Sequence, residues 1–163
     1  NAAFAAIADP SHAGSEPVPA IAAARILLAE DNATNQKLFV SLLKRRNYVV
    51  DVAANGLEAL DALHNRPYDL ILMDVQMPEM DGFETTARVR SSGASYADLP
   101  IIGITAHAMK GDRERVIAAG MDDYLSKPIN KDQLFEKVAH WTRARTSAAG
   151  DAYGLQQRLA ASF

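Results

Sequence analysis

Cysteine is missing from all 163 residues, so disulfide frameworks and thiolate metal sites are excluded. An excess of one charge is missing too. Seventeen Lys and Arg stand against twenty Asp and Glu, a net charge of −3, and no strong field directs the chain to nucleic acid. No apolar run approaches the ~20 residues that cross a bilayer. These absences predict a cytoplasmic domain with no nucleic-acid partner and no direct membrane contact, in a parent protein that is itself free to be membrane-anchored. What remains is ordinary for a globular domain, at 48% hydrophobic and 23% charged residues. The length suits one domain with tails rather than two domains.

Residues 1–24 are alanine-rich, carry Pro10, Pro17 and Pro19, and lack a helical or alternating period, which predicts a linker whose first residues are extraneous. From Arg25 onward, strand and helix signals alternate five times. Strands are predicted at 25–29, 48–53, 69–73, 100–105 and 124–126, and helices at 33–46, 56–65, 82–92, 110–119 and 131–145. Asn55 with Glu58, Asp81 with Glu84, and Asn130 with Gln133 resemble capping boxes, and Gly120 is placed to stop the fourth helix. Leu70-Ile-Leu-Met73 is apolar without alternation, as in a strand covered on both faces. Regular βα repetition with right-handed crossovers predicts an α/β fold, a three-layer (βα)5 doubly wound parallel sheet of flavodoxin-like order 2-1-3-4-5. The folded unit is predicted over 25–145, and 146–163 as a tail or linker.

Polar residues follow where the apolar runs stop: Glu30 and Asp31, Asp74, Thr105 and Lys127. In an open parallel sheet the carboxyl ends of the strands share one edge, where ligands bind. Three carboxylates, a hydroxyl and an ammonium are thus expected in one basin. Two carboxylates ~4 Å apart repel by about 4 kcal/mol at an effective dielectric near 20, so a hard divalent cation is the natural remedy. A strand-end carboxylate can then attack phosphorus and form an acyl phosphate, with Lys127 and Thr105 stabilising the phosphoryl oxygens. Taken singly, each residue has a plainer account. Asp74 alone is a turn residue, Glu30-Asp31-Asn32 a helix start, Thr105 structural and Lys127 a solvated lysine. Their coincidence at separate strand ends favours the chemistry.

Ala29-Glu-Asp-Asn32, Met73-Asp-Val-Gln-Met-Pro-Glu-Met-Asp-Gly82, Thr105-Ala-His-Ala-Met109 and Tyr124-Leu-Ser-Lys-Pro128 together resemble the receiver domain of two-component response regulators. The likeness spans about residues 25–143 and is strongest to receivers fused to hybrid sensor histidine kinases. It implies that Asp74 accepts a phosphoryl group from a phosphohistidine of a histidine kinase or histidine phosphotransfer domain. It further implies Mg2+, with Mn2+ as a substitute, on Glu30, Asp31, Asp74 and the Gln76 backbone carbonyl. Thr105 and Tyr124 take the role of switch residues, Lys127 pairs with the phosphate, and the bond before Pro128 is expected to be cis. Repacking of the fourth helix, fifth strand and fifth helix is the expected output, with a homodimer through that surface. Glu30 departs from the commoner Asp, and Gln76 from a frequent Asn.

Two other classes share the architecture. A haloacid-dehalogenase-like phosphohydrolase needs a second Asp two residues beyond the nucleophile, where this chain has Gln76. A flavin-binding module wants a hydroxyl- and glycine-rich phosphate loop, where this chain has Glu30-Asp31-Asn32. The chain carries no kinase ATP-binding motif and is read as a phosphoacceptor rather than a turnover enzyme; a stand-alone receiver is the runner-up to the hybrid-kinase context. Of the histidines, His107 beside Thr105 is a candidate to influence attack by water, while His12, His64 and His140 read as surface residues. Trp141 reads as packing one end of the domain, Lys44-Arg45-Arg46 as helix-terminal cations, and Asp112-Arg113-Glu114-Arg115 as a solvated face.

Overall fold

The computed structural model describes residues 23–106 and 111–143. Most of the expected linker, the whole tail, His12, His107 and the end of the fifth predicted helix lie outside the described residues. Five strands, β1 (Arg25–Ala29), β2 (Val49–Ala53), β3 (Leu70–Asp74), β4 (Ile101–Thr105) and β5 (Asp123–Ser126), form one parallel sheet in the order β2-β1-β3-β4-β5. Between them run α1 (Ala33–Lys44), α2 (Gly56–Asn65), α3 (Gly82–Ser91) and α4 (Asp112–Ala118), and α5 follows over 131–143. The α/β class and the strand order are those read from the sequence.

Period-two alternation sends the strand side chains to opposite faces, and each face has its own core. Leu27, Ile71, Met73 and Ile101 join Ala59, Val89 and Val116 on one side. Ile26, Leu28, Leu72 and Ile104 join Phe39, Leu43, Leu134 and Val138 on the other. Leu70 through Asp74 are all buried, which explains the unbroken apolar run of β3.

Helix ends follow their local chemistry. Asn32, Asn55 and Asp81 cap α1, α2 and α3 by accepting from the backbone N–H three residues on, and Asn130 does the same for Gln133. Gly120 has φ 101°, a left-handed conformation at no steric cost, and its N–H donates to Ile117 O while that of Met121 donates to Val116 O. Within the described residues, the strands and helices begin and end within two residues of the sequence expectation. Asp74 is the last residue of β3 rather than the first beyond it, because the Val75 N–H still donates to Ile104 O at 3.0 Å.

Candidate functional site at the carboxyl edge of the sheet

Strand register brings the polar residues level. Ala29 pairs with Met73, so the next residues, Glu30 and Asp74, emerge side by side. Asp74 pairs with Ile104, and Thr105 with Ser126, which sets Thr105 and Lys127 on the same rim. Gly82 lets the start of α3 close over this edge: a Cβ there would lie 2.3 Å from Asp74 O. Its N–H donates to Val75 O at 3.1 Å, fixing the turn that follows the aspartate.

Asp74 is 2% exposed, and each of its carboxylate oxygens has a partner. Oδ1 accepts from the Gln76 N–H at 3.0 Å, and Oδ2 accepts from Lys127 Nζ at 3.0 Å. Lys127 Nζ also lies 3.5 Å from Glu30 Oε2, near enough for attraction but without a hydrogen bond. Glu30 is wholly buried, and its Oε2 is the one buried side-chain polar atom among the described residues without a hydrogen-bond partner. Asp31 is exposed and opens the basin to solvent.

Electrostatics follow from this crowding. Burial and then the Asp74 charge raise the Glu30 carboxyl above its ordinary value, against the Asn32 N–H and the Lys127 charge. Burial pulls the Lys127 ammonium down, yet its hydrogen bond and attraction to Asp74, with Glu30 behind, carry it above the ordinary lysine value. One ammonium thus serves two acids, Glu30 and Asp74. One oxygen each from Glu30, Asp31 and Asp74 lies within 4.8 Å of the others, a hard-oxygen set suited to a small divalent cation.

The basin opens into a cleft of about 610 Å³ lined by Asp31, Gln76, Met77, Phe83, Thr105 and Arg115, among others. Thr105, 4% exposed, lies at the β4 terminus, and its carbonyl accepts from the Lys127 N–H at 2.8 Å. The Lys127–Pro128 bond is cis. Tyr124 stands apart from the acids, half-buried on β5, with Lys137 Nζ 4.9 Å from its ring centre and 2.7 Å from its carbonyl oxygen. His64 packs edge-on to Tyr96 and His140 to Trp141, both away from the basin. Trp141 also donates its indole N–H to Asp123 at 3.1 Å.

Three neighbours of the site escape a sequence reading. Arg115 is exposed, as expected of a solvated face, but it also lines the cleft with its guanidinium 5.4 Å over the Phe83 ring. Asn35 and Gln36 look like ordinary residues of a helical first turn, yet both donate to Glu30.

Comparison with known proteins agrees with this geometry. The response regulator receiver domain family matches residues 26–139. Hybrid signal transduction histidine kinase I of Dictyostelium discoideum is 44% identical over 131 residues, covering 77% of this chain and 7% of that protein. Sensor histidine kinase GacS of Pseudomonas protegens is 40% identical over 144 residues, covering 86% of this chain and 16% of that protein. The chain therefore spans a small fraction of these relatives. Among solved structures, the receiver domain of sensor histidine kinase PA1611 from Pseudomonas aeruginosa, with a magnesium ion coordinated in its active site cleft, is 38% identical at a TM-score of 0.68, covering 74% of this chain and 98% of that one. A co-crystal structure of the Saccharomyces cerevisiae histidine phosphotransfer protein Ypd1 with the receiver domain of Ssk1 matches at 30% identity and a TM-score of 0.68, covering 74% of this chain and 89% of that one. The family match runs from β1 through most of α5, well over half of the sequence, and the chain belongs to the response regulator receiver domain family.

Proposed function

We propose that Asp74 is the phosphoacceptor of this phosphorelay receiver. The observation that carries the reading is the buried Asp74 carboxylate, level with Glu30 and bonded to Lys127, beside a cleft lined by Asp31, Gln76 and Thr105. One Asp74 oxygen attacks phosphorus as the P–N bond to a donor imidazole breaks. The imidazole nitrogen leaves with the electron pair and takes up a proton, and the product is an aspartyl phosphate. Lys127 holds positive charge against the transferring group, and the Thr105 hydroxyl donates to one of its oxygens.

Glu30, Asp31, Asp74 and the Gln76 carbonyl would hold Mg2+, with Mn2+ as a substitute. The buried, unpartnered Glu30 Oε2 and the clustered oxygens fit such an ion. When bound, it neutralises acids and phosphoryl oxygens that otherwise repel. The chain assists its own phosphorylation and hydrolysis through these side chains.

The donor is a histidine kinase or histidine phosphotransfer domain, a reading supported by the Ypd1 complex, and the parent is a hybrid sensor histidine kinase, a reading supported by the relatives. Thr105 and Tyr124 form the switch: the added charge draws Thr105 inward, Tyr124 follows, and the α4–β5–α5 surface repacks into a dimer contact. The exposed Ile117 of α4 gives that surface an apolar element.

Intact-mass measurement after incubation with acetyl phosphate, or with a phosphohistidine donor, and Mg2+ tests the assignment. Wild type gains one phosphoryl group and Asp74→Asn gains none. Modification retained by the variant would count against Asp74.

A further inference from the structure

We infer that Gln36, with Asn35, is a positioning residue that aims the carboxylate of Glu30 into the basin; this rests on the metal-dependent reading above. The inference begins from how the polar atoms of Glu30 are used. Its N–H donates to Ala53 O at 3.0 Å. Its carbonyl oxygen accepts from Gln36 Nε2 at 2.6 Å, the shortest of its contacts. Its Oε1 accepts from the Asn32 N–H at 3.1 Å and from Asn35 Nδ2 at 3.4 Å. Only Oε2 lacks a hydrogen bond, and it faces Asp74 and Lys127.

Glu30 is therefore bound on its backbone and on one side-chain oxygen by the first turn of α1, and the other oxygen is left for the basin. Glutamate has the reach for both tasks, being one methylene longer than aspartate. The additional methylene lets one carboxylate reach back to the Asn32 N–H and still present an oxygen to the acid cluster. Gln36 sits one turn into α1 and clamps the peptide from which that side chain departs. Asn35 restrains the plane of the carboxylate more weakly, at the longer distance. Neither residue belongs to the acid cluster itself. Their part is to hold a ligand in one orientation before the cation arrives, as partners of metal ligands commonly do.

Mg2+ affinity, read by calorimetry and by tyrosine and Trp141 fluorescence, tests this in a double-mutant cycle. Gln36→Leu keeps the size of the side chain and removes the donor; it is expected to weaken Mg2+ binding by about tenfold. Asn35→Ala is expected to weaken it less. In a Glu30→Ala background, Gln36→Leu should change the affinity by less than about twofold, because the group it aims is gone. Circular dichroism and Tm of each variant show that α1 remains folded, so a change in affinity is separated from a loss of structure. Wild-type affinity in Gln36→Leu would overturn the inference, as would an undiminished loss in the Glu30→Ala background. A wild-type chain that binds no Mg2+ would overturn the metal-dependent reading and the inference together. Wild-type binding that is lost in Asp31→Asn, beside an unaltered Gln36→Leu, would leave the former standing and remove only the latter.

Discussion

The two edges of the one sheet treat charge in opposite ways. At the amino edge, where the strands begin, each acid in the described networks has its donors. Arg90 donates to Gly120 O, Ala97 O, Leu99 O and Asp122 Oδ2, and the same Asp122 oxygen also accepts from the Ile101 N–H. Asp51 Oδ2 accepts from Arg25 and Tyr68, and Asp69 from the Arg25 N–H. At the carboxyl edge Glu30 and Asp74 share Lys127 with Asp31 close by, and the wholly buried Glu30 keeps an unpartnered oxygen. The first edge is complete as folded. The second carries a debt of positive charge that a cation would discharge, so the same kind of substitution should act with opposite sign at the two edges.

Arg90→Ala gives the largest effect. It strips donors from three carbonyls and leaves the partly buried Asp122 without its cation, so the unfolding free energy falls by about 3 kcal/mol. Urea denaturation measures it, and a loss below about 1 kcal/mol would break the comparison. Glu30→Gln gives a smaller effect of the other sign in Mg2+-free buffer. The amide oxygen can keep the Asn32 contact while its nitrogen donates to Asp74, and a buried charge is removed; stability should rise by about 1 kcal/mol.

The pH dependence sharpens the contrast by smaller amounts. Burial opposes ionisation of Asp51, but hydrogen bonds from Tyr68 and Arg25 outweigh it and hold the carboxyl below its ordinary 3.8. Asp123 is likewise lowered below 3.8, with burial overcome by Lys137 and Trp141. Their stabilisation is complete above that value and lost as pH falls through the lower folded-state values. Glu30 is raised instead, so the unfolded chain ionises first as pH climbs past 4.5, and the native state loses stability until the higher folded value is passed. In Mg2+-free buffer the advantage of Glu30→Gln should therefore vanish below about 4.5, while the cost of Asp51→Asn persists at neutral pH and fades in acid. Parallel profiles for the two variants would contradict the assignment of opposite roles.

Legibility in the sequence divides along the range of the interactions. Asp74, Thr105 and Lys127 could be read because each stands where an apolar run stops, and register does the rest. Gly120 and the caps at Asn55, Asp81 and Asn130 were readable because their chemistry acts within a few residues. Arg90 was not, since its partners Gly120 and Asp122 lie 30 and 32 residues away and meet it only through packing. The solitary oxygen of Glu30 was equally hidden, because burial and the reach of Gln36 are tertiary facts. Arg115 does stand on the exposed face that its charged neighbours implied, but its contact with the Phe83 ring was hidden because Phe83 comes from α3.

The most direct test of the central claim locates the modified atom. Phosphorylated protein reduced with borohydride, which converts an acyl phosphate to the alcohol, is digested and mapped by peptide mass. A single reduced residue at Asp74 is the predicted result; reduction at Asp31 or Glu30, or an unreduced Asp74 in phosphorylated protein, would contradict it.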